Sequence, residues 1–133
     1  MYPRLEISHV PRRILFFSDE DCFATTLQSI ISGEYNCEVV IDYEIENYKA
    51  SIWKFLPHLL FINSCTRMEL VHRIKLVKQF RNIPLIFFSG AVSSDDFKVI
   101  KPDGYFCKPL NLDSFLHFAK PYLPAPLANY VIS

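Results

Sequence analysis

Glycine is scarce in this sequence, with three residues among 133. Loops that bind nucleotide phosphates use several closely spaced glycines, and the chain contains neither a GxGxxG nor a Walker pattern. No apolar run approaches the roughly 20 residues that a membrane helix needs, and the first residues lack the apolar core of a secretory signal. The sequence therefore disfavours a nucleotide-binding enzyme, and we expect a cytoplasmic protein without a membrane segment.

An excess of charge of either sign is also missing, because 14 basic residues balance 14 acidic ones. A chain with this balance has no overall field that would attract nucleic acid or an anionic membrane. We therefore expect neither of them as a partner of this domain.

Cysteine pairs at metal-binding spacing are absent as well. The four cysteines, Cys22, Cys37, Cys65 and Cys107, form no CxxC motif and no cysteine–histidine cluster with zinc spacing. We expect four reduced and mostly buried cysteines, as is usual in the cytoplasm, and we expect no bound metal or cofactor.

Five short apolar runs recur along the chain, and most of them are continuous rather than alternating. Continuous runs are typical of strands that are covered on both faces of a parallel sheet. The runs are Ile14–Phe17, Cys37–Ile41, Leu59–Ile62, Leu85–Phe88 and Gly104–Cys107.

Apolar residues at helical spacing follow these runs and predict helices between the strands. The stripes are Phe23 to Ile31, which we expect Gly33 to end; Ile45 to Leu56; Leu70 to Val77, inside Thr66–Arg81; and Leu112 to Leu123. Phe97 and Ile100 indicate a much shorter additional helix.

Alternating strands and helices predict an α/β fold, a (βα)5 doubly wound parallel sheet of strand order 2-1-3-4-5 in a flavodoxin-like three-layer sandwich. We assign residues 1–11 to an N-terminal lead-in, 12–123 to the domain and 124–133 to a C-terminal tail or linker. In this strand order a crevice opens at the carboxyl ends of the first and third strands, where ligands bind in many such folds.

Polar and charged residues follow the predicted strands at this edge. Asp19, Glu20 and Asp21 come after the first strand, and their carboxylates suit either the start of a helix, whose dipole favours negative charge, or a hard cation. Lys108 follows the fifth strand, where it could pair with one of these carboxylates or lie in solvent.

Four segments together resemble the receiver domains of the response-regulator family. They are Arg13–Asp21, Pro57–Asn63, Ile83–Ala91 and Asp103–Leu110, in the family's order, and the resemblance covers about residues 12–123. It implies that Asp19 is the second acid of the family's metal-binding pair, with Glu20 as a helper. It also implies that Ser89 is the hydroxyl that contacts phosphate, Lys108 the site lysine and Phe106 the switch aromatic.

Two positions depart from the family pattern. Ser18 stands where the first acid of the pair is expected, and Asn63 stands where the phosphoacceptor aspartate is expected. A neutral amide is a poor nucleophile, and both changes remove charge from the metal site. The resemblance therefore implies a pseudo-receiver that is not an enzyme and has no catalytic residue. In this interpretation Lys108 turns to Asp19, while Asn63 and Ser89 add neutral hydrogen bonds.

Three functions remain open at this point. The leading hypothesis is a phosphorylation-independent signalling module that binds another signalling protein, or a second copy of the chain as a homodimer. The second is a phosphotransfer receiver with a substitute acceptor, Asp19 or Ser64. The third is a small-ligand sensor whose cavity lies around Cys65, Ser89 and Phe106.

Overall fold

Five parallel strands in the order β2-β1-β3-β4-β5 form the centre of the computed structural model, which describes residues 11–64, 69–90 and 102–124. The strands are β1 (Arg12–Ser18), β2 (Cys37–Asp42), β3 (Leu59–Asn63), β4 (Leu85–Ser89) and β5 (Gly104–Cys107). The predicted runs and the predicted order 2-1-3-4-5 are confirmed. All five residues of β3 and all five of β4 are buried, as continuous apolar runs require.

Helices cover both faces of this sheet. In the described residues they are α1 (Cys22–Glu34), α2 (Tyr48–Phe55), α3 (Glu69–Leu76) and α4 (Leu112–Ala119), with short 3₁₀ turns at Ile45–Asn47 and Lys120–Tyr122. One apolar cluster joins α1 and α4 to one face of the sheet, and a second joins α2 and α3 to the other. The fold is therefore the flavodoxin-like three-layer sandwich.

Two predicted helix ends differ from the structure. Gly33 lies inside α1, which continues to Glu34 and ends where the Tyr35 N–H donates to the Ile31 carbonyl. Tyr35 is extended and packs against the core, so the helix needs no left-handed glycine after it. Leu56 is not part of the buried stripe of α2, because it takes the left-handed C-cap conformation and is 55% exposed.

The third helix ends earlier than predicted. It ends at Leu76, and the chain continues in turns in which Phe80 N–H donates to the Val77 carbonyl. Pro84 restricts the residue before it to extended conformations, so the helix must end early enough for the chain to enter β4. The predicted short helix with Phe97 and Ile100 lies outside the described residues.

The side chain and backbone of Arg13 align β1 with β3. Arg13 N–H donates to Nδ1 of His58 at 2.9 Å, and its carbonyl accepts from the His58 N–H at 2.8 Å. Its guanidinium donates to the carbonyls of Phe55 and Leu56 at the end of α2. These bonds place the start of β3 beside β1, and the register then runs without a break to the pair Ser18 and Asn63.

The cysteines are more exposed than predicted. Cys22 and Cys107 are exposed free thiols, and Cys37 is free and half-buried, while Cys65 lies outside the described residues. Cys22 is the first residue of α1 and Cys107 is the last residue of β5. Both thiols therefore lie at the ends of elements and not in the packed interior. Burial raises the pKa of Cys37 to about 11, which keeps this thiol protonated and unreactive.

In the described part of the chain, no helix combines the length and the hydropathy that crossing a bilayer would demand.

Two glycines allow a matched test of the packing. A Cβ built on Gly104 in β5 would lie 2.5 Å from Cε1 of Phe118, whereas one built on Gly33 in α1 meets nothing within 4 Å. The Phe118 ring cannot easily move away, because it packs against Phe106 and Tyr122. We expect Gly104→Ala to lower the free energy of unfolding by about 1–3 kcal/mol. Gly33→Ala, inside a helix, should raise it by about 0.5–1 kcal/mol, and urea unfolding measures both.

A loss of stability for Gly33→Ala, or no loss for Gly104→Ala, would contradict this description of the packing.

Candidate functional site

Four polar residues are buried where β1, β3 and β4 end. Ser18, Asn63, Ser64 and Ser89 each have 0% exposure. Ser18 lies opposite Asn63 in the register, and Asn63 lies opposite Phe88. Because parallel strands end at the same edge, residues from distant parts of the sequence meet here, away from solvent.

The Asn63 amide is the centre of this group. Its Nδ2 donates to Oγ of Ser18 at 3.0 Å and to Oε1 of Glu20 at 2.9 Å. The carboxylate of Glu20 can only accept, so the amide nitrogen must face it and Oδ1 must face away. Among the described residues, Oδ1 of Asn63 is a buried side-chain atom that has no hydrogen-bond partner.

Ser18 and Glu20 connect Asn63 to the start of α1. The Ser18 hydroxyl donates to the Glu20 carbonyl at 2.5 Å and accepts from the Glu20 N–H at 3.2 Å. The Glu20 carboxylate also accepts from the Phe23 N–H at 3.0 Å, one of the donors that a helix leaves unpaired in its first turn. The loop between β1 and α1 is thus held to β3 by hydrogen bonds within the chain.

The three consecutive acids after β1 point to three different partners. Asp19 accepts from the Ser64 hydroxyl at 2.7 Å, Glu20 binds Asn63, and Asp21 accepts from the hydroxyl of Tyr43. The hydrogen bond to Asp21 is the main reason why the pKa of Tyr43 is raised. Within the described residues, no group of three or more His, Cys, Asp or Glu side chains could hold a metal ion.

The pleat of the strands explains this separation. Side chains two residues apart share a face, so Ser18 and Asn63 continue the face of Phe16 and Phe61, which packs under α1 and α4. Asp19 and Ser64 follow them by one residue, just beyond the strand ends, and bind each other. The sequence predicts one polar cluster, whereas the structure separates the pair of Asp19 and Ser64 from the hydrogen-bonded group of Ser18, Glu20 and Asn63.

Lys108 does not pair with Asp19, in contrast to the interpretation from the sequence. Its ammonium group lies over the Phe23 ring of α1, 4.8 Å from the centroid. Two residues before it, Phe106 packs on the face beneath α1 and α4. Lys108 directly follows β5, and its contact with Phe23 places its side chain beside α1, whereas Asp19 accepts from Ser64. Phe23 was missed in the sequence because it reads as one more apolar residue of a helix.

Ser89 and Phe106 complete the set of predicted residues. Ser89 is buried at the end of β4, and its carbonyl accepts from the Lys108 N–H at 3.3 Å. Phe106 is part of an aromatic cluster, stacked on Phe88 and edge-on to Phe115 and Phe118 at 5.4 Å. The ring is therefore held by core packing on one side of β5.

Solved structures with the same architecture are response-regulator receiver domains. The signal receiver domain of a DNA-binding response regulator from Colwellia psychrerythraea 34H is 21% identical, with a TM-score of 0.71, over 83% of this chain and 96% of that chain. The chemotaxis protein CheY4 of Vibrio cholerae is 15% identical, with a TM-score of 0.70, over 85% of this chain and 99% of that one.

A third similar structure is an atypical orphan response regulator, described as revealing a phosphorylation-independent regulatory mechanism. It is 13% identical, with a TM-score of 0.68, over 83% of this chain and 93% of that chain. No protein-family model and no curated protein sequence matches the chain. At these identities the likeness shows the fold: the chain has the receiver-domain fold.

Glu20 allows a test of the hydrogen bonds around Asn63. Glu20→Ala removes one of the two acceptors of the Asn63 amide and the acceptor of the Phe23 N–H, so that one amide N–H and the Phe23 N–H lose their partners. We expect the free energy of unfolding to fall by about 1–3 kcal/mol, measured by urea denaturation. The neighbouring Asp21→Ala is the control, because Asp21 is exposed and its loss should cost about 0.5 kcal/mol or less.

Equal effects of the two substitutions would show that the Glu20 carboxylate does not support the buried amide.

Proposed function

We propose that this chain is a pseudo-receiver, a signalling module that acts through protein–protein interaction and independently of phosphorylation. The proposal rests mainly on one observation. The side chain at the end of β3 is the amide of Asn63, and it is engaged with Ser18 and Glu20 through hydrogen bonds of 3.0 and 2.9 Å. Both N–H groups of the amide are thus engaged within the chain. Its Oδ1, which has no partner among the described residues, is a neutral oxygen and not the carboxylate that would take up a phosphoryl group.

The chemistry of an amide supports this interpretation. A receiver phosphorylates itself when a carboxylate oxygen attacks phosphorus, so that an acyl phosphate forms. The oxygen of Asn63 carries no negative charge and is fully buried. Attack by this oxygen would not produce a stable acyl phosphate.

The side chains around Asn63 do not suit the divalent metal ion that receivers bind. Mg²⁺ requires octahedral oxygen ligands and is usually held by carboxylates. Here Ser18 and Asn63 are neutral, Asp19 accepts from Ser64, and Glu20 accepts from Asn63 and from the start of α1. A cation would have to break these bonds before it met two free carboxylates, so we derive no metal-dependent step.

Burial disfavours Ser64 as a substitute phosphoacceptor, because its hydroxyl has 0% exposure and donates to Asp19. Asp19 is exposed, but its carboxylate lies beyond the end of β1 and accepts this hydrogen bond, so it does not occupy the acceptor position at the end of β3. The partner we propose is therefore a signalling protein, or a second copy of the chain, that recognises the surface of the folded domain. The similar orphan regulator, which is described as phosphorylation-independent, supports a role of this kind, and the free thiols of Cys22, Cys37 and Cys107 are in keeping with the cytoplasm.

Treatment with a phosphodonor tests this proposal. We expect acetyl phosphate with Mg²⁺, or beryllofluoride with Mg²⁺, to leave the amide NMR spectrum unchanged at Ser18, Asn63 and Ser89. The reason is that neither an anionic nucleophile nor a free pair of carboxylates is available. The mass of the intact protein should also stay the same after acetyl phosphate. A phosphorylation-competent receiver serves as the positive control. A mass increase of one phosphoryl group, or shifts confined to these residues, would contradict the proposal.

The single substitution Asn63→Asp is expected not to restore phosphorylation. The new carboxylate would face Glu20, and the repulsion between like charges raises the pKa of the pair and destabilises the folded state above it. Ser18 would still provide no carboxylate for the metal. Phosphoryl incorporation from acetyl phosphate should be absent in Asn63→Asp and should be compared with Ser18→Asp/Asn63→Asp. Rapid labelling of the single variant would show that Ser18 is not limiting.

A further inference from the structure

A pocket of about 360 Å³ lies between α1 and the segment that follows β5, and Lys108 is one of its lining residues. This volume is at the lower end of the roughly 300–1,000 Å³ that small-molecule sites span. The side chains that matter for its chemistry are Phe23, Leu27, Ile30, Lys108, Leu110 and Leu112. The pocket is separate from the buried hydrogen bonds around Asn63.

The walls of this pocket are apolar and held in place. Leu27 is a core residue of α1 with 3% exposure, and Leu110 and Leu112 are partly buried against the same cluster. Ile30 lies one helical turn after Leu27. Apolar walls on a packed helix and on the start of α4 offer a hydrocarbon group a surface that needs no rearrangement of the backbone.

Lys108 provides the charge of the pocket. Its ammonium group contacts the Phe23 ring at 4.8 Å, and in the described part of the chain it forms no ion pair. The backbone N–H of Lys108 donates to the Ser89 carbonyl, so the residue is anchored while its side chain extends along the pocket wall. An ammonium group that meets only an aromatic face retains donors for an anion.

We propose that this pocket binds small amphipathic carboxylates, whose hydrocarbon part lies on the walls formed by Leu27, Ile30, Leu110 and Leu112 and whose carboxylate pairs with Nζ of Lys108. Free phosphate does not fit the same surroundings, because Lys108 is the one cation that lines the pocket and the hydroxyl of Thr26, its other polar side chain, already donates to the Cys22 carbonyl. The proposal does not depend on the partner function proposed above, since it uses neither Asn63 nor a docking surface.

Octanoate is a suitable probe, and octan-1-ol and octylammonium share its chain but differ in the head group. We expect octanoate to produce saturable NMR shifts of the methyl groups of Leu27, Ile30, Leu110 and Leu112 in the full chain. Its dissociation constant should be lower than that of octan-1-ol by roughly fivefold or more. The reason is that a charge-assisted hydrogen bond at a partly exposed lysine replaces a neutral one. Octylammonium should bind most weakly. Equal binding of the three probes, no shift with octanoate, or shifts only at other methyl groups would overturn the proposal.

Three variants separate the two parts of the site. Lys108→Met keeps the length of the side chain, so the variant should bind octan-1-ol as before. It should lose the preference for octanoate, so that the two probes bind with a ratio of affinities of about one. Lys108→Arg should keep that preference. Ile30→Trp should fill the pocket and abolish binding of both probes.

The amide spectrum of each variant shows whether it is folded. If a folded Lys108→Met still prefers octanoate, or a folded Ile30→Trp still binds it, the assignment of the pocket is wrong. A failure of this proposal leaves the phosphodonor experiment unaffected, since that experiment follows Ser18, Asn63 and Ser89.

Discussion

The side-by-side ends of β1 and β3 are the constraint on which the rest of this site depends. The parallel register places Ser18 opposite Asn63 in a region without solvent. A buried polar group that lacks a partner costs about 1–3 kcal/mol, so the residues at this edge must satisfy one another. The amide nitrogen of Asn63 does so by donating to the Ser18 hydroxyl and to the Glu20 carboxylate, while its Oδ1 has no partner among the described residues. The same carboxylate then caps the first turn of α1, and the loop after β1 is fixed.

A neutral amide at this position changes what the crevice can do. A carboxylate there would repel Glu20 and would favour a cation between them, whereas the amide donates to Glu20 directly. The proposed loss of phosphorylation and the observed hydrogen bonds therefore have the same origin, which is the presence of Ser18 and Asn63 where the family pattern has acids. A crevice whose acids already accept hydrogen bonds within the chain has little affinity for a ligand that would shift the domain to a second state. Such a domain would present a constant surface to a partner of the kind proposed above.

The alternation of β-strands has the second large effect on this protein. It puts Ser18 and Asn63 on the face of Phe16 and Phe61, which packs under α1 and α4. Lys108, just after β5, contacts Phe23 and lines the apolar pocket beside it. An ammonium group at the edge of a hydrocarbon surface is the basis of the proposed carboxylate site. The two proposals thus rest on different residues and on different chemistry.

Sequence alone determined the strands and their order, because continuous apolar runs and helical stripes depend on local periods that are visible in one dimension. It placed Ser18, Asn63 and Ser89 at the carboxyl ends of their strands. It also identified Asn63 and Ser18 as the unusual positions. Only the tertiary structure decided which polar groups bind each other, that Glu20 turns inward to Asn63 and that Lys108 rests on Phe23. It also decided where α1 and α3 end. The physical reason is that these outcomes depend on the face of the sheet, on hydrogen-bond distances and on packing across segments that are far apart in the chain.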